Sequence, residues 1–118
     1  MCSVSSVAIR VHHMEAMVSF YSQAFGAEFK PMDVQGLACQ FGIVANITFK
    51  LVPLRQQADF EGYPLHQLGF EVPDLAPVLK SAEEHGGRVE LDISSQGEKF
   101  RAVVRDPDGN SIELYAPK

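Results

Sequence analysis

A chain of 118 residues, 46% hydrophobic and 21% charged, is long enough for one real core and too apolar for a disordered segment. Its formal net charge of -5, with Lys and Arg scattered along it, argues against a nucleic-acid surface, and no stretch approaches the roughly 18 apolar residues of a membrane span. No basic segment followed by an apolar run opens the chain, so the cytoplasm is the expected location; Cys2 and Cys39 show neither a disulfide framework nor paired-Cys metal spacing.

Val7 to Val11 reads as a strand, with Ser6, Ala8 and Arg10 on one face and Val7, Ile9 and Val11 on the other. From about Met14 to Phe25 the apolar positions Met14, Met17, Val18, Tyr21 and Phe25 recur at spacings of three and four, which predicts a helix that Gly26 ends in a left-handed cap. Strands are expected at about 27–32, 36–43 and 47–52, separated by turn-compatible residues at 33–36 and 44–46. The order is βαβββ. Residues 53–65 carry Pro53, Gly62 and Pro64 without a sustained period and read as a connector.

The order then repeats. A strand is expected from Gln67 to Val72, then a helix with Asp74 as N-cap, Pro77 in the first turn, apolar Leu75, Val78, Leu79 and Ala82, and Gly86 or Gly87 as terminator. Strands at about 88–93, 99–105 and 111–116 complete a second βαβββ unit. An offset of 61 pairs Val11 with Val72, Met14 with Leu75, Met17 with Val78, Val18 with Leu79 and Gly26 with Gly87, as expected of an internal duplication. One domain, 1–118, is therefore expected, with modules at about 6–52 and 66–117.

Asp106-Pro107-Asp108-Gly109-Asn110 is a hairpin turn by composition: Pro107 sets φ at the first corner and Gly109 can supply a left-handed residue. In the strand that leaves it, Ile112 and Leu114 share one face while Ser111, Glu113 and Tyr115 share the other. A carboxylate in that position needs solvent, a cation or a metal as partner.

This hairpin resembles the signature of the vicinal oxygen chelate superfamily, which includes lactoylglutathione lyase, methylmalonyl-CoA epimerase, extradiol dioxygenases, fosfomycin-resistance enzymes and bleomycin-binding proteins. The resemblance implies an α+β fold in which two βαβββ modules curl their mixed sheets around a shared cleft, with helices on the outer face, and it implies a homodimer. It also implies four metal positions, on the first and last strand of each module. They fall on Ser6 and Gln67, and on Lys50 and Glu113.

Only Glu113 is a good ligand for a divalent ion. Ser6 and Gln67 are weak donors, and Lys50 brings a repelling charge. A Lys50–Glu113 ion pair is the expected substitute, and Arg10 could pair with Glu71 or Glu113 or hold an anionic ligand. The favoured function is thus binding of a small organic ligand in the cleft without a metal, through Ser6, Arg10, Lys50, Gln67 and Tyr115; the acidic balance is compatible with a basic ligand. The alternative is a lyase, epimerase or dioxygenase that uses zinc, nickel, manganese or iron held by His12, His66 and Glu113. Glu113 is the candidate catalytic group; as a metal-free general base beside Lys50 it would need an unusual environment. Arg101 and Arg105 read as solvated rim charges, Asp106 and Asp108 as turn formers, and His85 as a helix-end residue.

Overall fold

In both halves the strands alternate and the helices carry one apolar stripe, so each sheet can bury only one face under its helix. The computed structural model describes residues 6–54 and 67–118, and its elements follow the repeated order. The first half contains β1 (Ser6–Val11), α1 (Met14–Phe25), β2 (Glu28–Val34), β3 (Leu37–Val44) and β4 (Ile47–Pro53). The second contains β5 (Leu68–Glu71), α2 (Leu75–Glu84), β6 (Arg88–Gln96), β7 (Lys99–Arg105) and β8 (Ser111–Pro117). The halves are separate compact units. Each holds a four-stranded mixed sheet, in the order β1-β4-β3-β2 or β5-β8-β7-β6, and the first strand of each unit runs parallel to the last. Neither sheet closes on itself.

α1 has its predicted span. It buries Met17, Phe20 and Tyr21, and Tyr21 meets Phe49 of β4 edge-on at 5.5 Å between ring centroids. Rings at that distance and angle place the positive edge of one over the negative face of the other. Gly26 ends the helix at φ 73°, a conformation a Cβ would strain, and its amide donates to the carbonyl of Ser22 at 3.1 Å.

α2 begins 61 residues after α1, as the duplication requires. The Asp74 carboxylate accepts from the amide of Ala76, and Pro77 sits in the first turn, where an amide would have no helical partner. Leu75, Leu79 and Ala82 are buried, with Val104, Ile112 and Leu114 in the core of the same unit. At the C-terminus His85 Nδ1 donates to the Ser81 carbonyl at 2.8 Å, satisfying an end carbonyl as a helix-end residue should.

β6 departs most from expectation. It runs to Gln96, through Asp92, Ser94 and Ser95, and its pairing with β7 shifts twice between Val89 and Ser94. An edge strand tolerates such bulges because one side of it has no ladder to keep. Pro31 sits in the other edge strand, β2, for the same reason. The expected connector begins inside structure: Pro53 closes β4, and the Leu54 amide donates to the Val11 carbonyl at 3.1 Å. The rest of that segment, with Cys2 and His66, lies outside the described residues. Cys39 is a buried free thiol in β3.

Candidate functional site

The β7–β8 turn is braced by the Asp106 side chain and by Arg105, whose Nη1 donates to the Gly109 carbonyl at 2.7 Å. Asp106, 3% exposed, accepts at Oδ1 from the amides of Asp108 (3.0 Å) and Asn110 (2.9 Å), and both its oxygens accept from the Asn110 side-chain amide. The Gly109 amide donates to the Asp106 carbonyl at 2.8 Å across the turn, with Gly109 at φ 88°. A buried carboxylate is stable there because several N–H donors replace its water. The turn makes Arg105 face Ser111, and every later pair of the β7–β8 ladder follows.

Counting outward from Arg105 and Ser111 puts Val103 opposite Glu113, Arg101 opposite Tyr115 and Lys99 opposite Pro117. On the other side of β8, Gly69 opposes Glu113 and Glu71 opposes Tyr115. These residues share the face turned away from Ile112 and Leu114. On it, Arg101 pairs with Glu113, Lys99 with Glu71, and Arg105 with Glu90. Glu113 and Arg101 are about three-quarters enclosed, at 25% and 23% side-chain exposure, and the Arg101 Nε and Nη2 each lie 2.8 Å from Glu113 Oε2. The Glu113 carboxylate, and after it Tyr115, hold the Arg101 guanidinium above its ordinary pKa against the opposing effect of burial. The Arg105 guanidinium beside Glu90 keeps that carboxyl below its usual range. Gln67 precedes β5 and donates from Nε2 to Ser111 Oγ at 2.7 Å.

Within its own unit Glu113 is thus paired with Arg101, a partner that the sequence reading did not name. Arg101 is not a solvated rim charge. The signal that could have found it was present: alternation along β7 puts Lys99, Arg101, Val103 and Arg105 on one face, and the turn fixes which of them lies diagonal to Glu113.

In the first unit the matching position is Lys50. It opposes Ala8 in the β1–β4 ladder as Glu113 opposes Gly69, and Ala8 and Gly69 are themselves 61 residues apart. Lys50 Nζ lies 5.5 Å from the centroid of the Phe41 ring on β3, a cation–π contact. Ser6 and Arg10 are exposed on the same face of β1. The neighbouring strands complete a row, Ala8–Lys50–Phe41–Lys30, and beside it Ser6–Thr48–Ile43–Glu28. A depression of about 500 Å³ opens there, lined by Gly26, Glu28, Lys30, Phe41, Gly42, Ile43 and Thr48. Gly42 permits close packing: a Cβ on it would stand 2.7 Å from Phe29 Cδ1 and 2.8 Å from the Glu28 carbonyl.

His12 lies in the bend between β1 and α1, exposed, its ring 6.1 Å from that of His13. Among the described residues no three His, Cys, Asp or Glu side chains assemble as a metal-holding group. The donor set at the four family positions does not fit a divalent ion on its own chemistry: Glu113 Oε2 already receives two N–H groups from a cation, Lys50 is itself a cation, and Ser6 and Gln67 offer only neutral oxygens.

The chain matches the Glyoxalase/Bleomycin resistance protein/Dioxygenase superfamily over residues 3–114, and it belongs to that family. Solved structures agree on the fold. A glyoxalase/bleomycin resistance protein/dioxygenase family enzyme from Burkholderia phytofirmans superposes with a TM-score of 0.79 at 19% identity, covering 99% of this chain and 100% of that one. The fosfomycin resistance protein FosX from Listeria monocytogenes gives 0.80 at 15% identity, covering 100% and 93%. A hypothetical protein from S. aureus gives 0.81 at 16%, covering 98% and 94%. No curated protein matches the chain. Among the described residues no helix is long and apolar enough to cross a membrane.

Proposed function

We propose that the chain is a small-molecule-binding member of the superfamily, in which the position usually given to a metal ligand is occupied by an ion pair. The observation that carries this reading is the Arg101 fork on Glu113 Oε2. Two N–H donors on one oxygen leave that oxygen poorly placed to coordinate an ion or take up a substrate proton, so Glu113 serves to orient Arg101, which also bonds Tyr115, on the open sheet face. The proposed ligand-contacting residues are Ser6, Arg10 and Lys50 on the helix-free face of the first unit, and Gln67 and Tyr115 on that of the second. Exposed Met32, Val34, Leu91 and Ile93 support a homodimer that covers part of this apolar surface, and the cytoplasm is its proposed compartment.

The test is metal content by mass spectrometry after incubation with nickel, zinc, manganese or iron(II) and desalting. Retention well below one ion per chain is expected, together with thermal stabilisation of the metal-free protein by members of a small-molecule library. Near-stoichiometric retention that Glu113→Ala abolishes would overturn the reading and return attention to His12, His66 and Glu113 as ligands.

A further inference from the structure

Charge is distributed unequally between the two helix-free faces. In the second unit Lys99, Arg101 and Arg105 each have a carboxylate partner. In the first unit, Lys30 and Lys50 stand on either side of Phe41 in one row across the sheet, and among the described residues neither is in an ion pair. The row borders the depression of about 500 Å³, which also exposes Ile43 to 64%. An aromatic ring and an exposed branched aliphatic side chain beside two ammonium groups that have no carboxylate partner among the described residues make a surface that an apolar anion complements on both counts: its body covers Phe41 and Ile43 and its charge meets Lys30 and Lys50. Glu28, in the row beside Lys30, lines the same depression, and a second negative charge on the ligand would be repelled there.

We infer that the helix-free face of the first unit binds a small organic monoanion with an aromatic body, such as an aromatic carboxylate or sulfonate. The overall acidic charge pointed to a basic ligand; the local charge of this face points the other way. The assignment rests on the proposal that the chain is a ligand-binding protein and names the chemistry of that ligand. Net charge sets the long-range field, whereas a bound ligand answers to the groups within a few ångströms of it.

The experiment is calorimetric titration of the whole chain with 2-naphthoate, neutral 2-naphthamide and cationic 2-naphthylmethylammonium, with amide NMR shifts to locate each. Naphthoate should bind about tenfold or more tightly than the amide, the margin of a charge-assisted contact, and weaken as salt is raised. Its shifts should centre on Phe41, Ile43 and Thr48. The Lys30→Gln/Lys50→Gln double variant should lose that margin for naphthoate and leave the amide unchanged. Tighter binding of the ammonium probe, naphthoate binding indifferent to the double variant, or no saturable naphthoate shifts at those residues overturns the inference. The metal count tests the broader reading in a separate measurement, so the two can fail independently; an ammonium probe that binds keeps the ligand-binding reading while ending this one.

Discussion

Arg101 directs both Nε and Nη2 to a single oxygen of Glu113, at 2.8 Å each, from the strand next to it. The two side chains are held by adjacent strands of one ladder and are about three-quarters enclosed, so little side-chain freedom remains to be lost when they meet. The contrasting pair is Lys80–Glu84 on α2, separated by 4.0 Å with side chains 79% and 56% exposed. Double-mutant cycles by urea unfolding should therefore find a clear coupling between Arg101 and Glu113 and one near zero between Lys80 and Glu84. Equal couplings would show that enclosure adds nothing to the first pair.

Asp106 should be the most sensitive polar position in the chain. Asp106→Ala removes the acceptor of the Asp108 and Asn110 amides in a half-buried turn, at a cost of about 1–2 kcal/mol. Asp106→Asn keeps one acceptor oxygen and should cost less. The midpoints of chemical unfolding of the two variants give the comparison, and a tolerated alanine would mean that the turn closes without its side chain.

Gly42→Ala puts a methyl group into backbone as well as side chain, since the Glu28 carbonyl as well as Phe29 stands within 3 Å of the new carbon. Backbone cannot rotate away as a side-chain tip can, so the substitution should destabilise by about 2 kcal/mol or more. The same change at Gly69, where the nearest heavy atom is 3.9 Å away, should leave stability within about 0.5–1 kcal/mol of the parent, the strand-interior effect of glycine alone. Thermal melts of both variants test the contrast.

Acid should act through Glu90. Its folded-state pKa lies below the ordinary 4.5 because of the hydrogen bonds and charge of Arg105. The ion pair therefore stabilises the fold fully above the unfolded-state value and ceases to do so as pH falls through the lower folded-state value. Between about pH 5 and about pH 3 the parent should lose stability more steeply than Glu90→Gln, and the gap between them should be constant above about pH 6. Parallel curves across the acid range would contradict this role.

Short-range chemistry was readable from the chain. Gly26, Asp74 and the Asp106–Asn110 turn each act within a few residues, and each stands where local rules place it. The face carrying Glu113 and Tyr115 was equally legible from alternation. What escaped was the partner across a strand. Arg101 becomes the neighbour of Glu113 only once the β7–β8 register is counted from the turn, and Phe41 becomes the neighbour of Lys50 only through the β3–β4 ladder. The extent of β6 was hidden for another reason: its bulged pairing lets Asp92, Ser94 and Ser95 join a strand that their own preferences oppose.

The turn at the buried Asp106 separates two kinds of freedom along one strand. It acts as a ruler, and as long as it holds, Ile112 and Leu114 stay in the core while Glu113 and Tyr115 stay outside it. A one-residue slip would exchange the sets and bury the carboxylate. Because the bonds that set the ruler come from Asp106 and Arg105, beside the turn, the outward positions further along, Glu113 and Tyr115, can change in charge, size and ligand preference while the scaffold keeps its shape. A family built on such a strand can host many chemistries with one fold, and this chain, with an arginine fork on Glu113, is one of its outcomes.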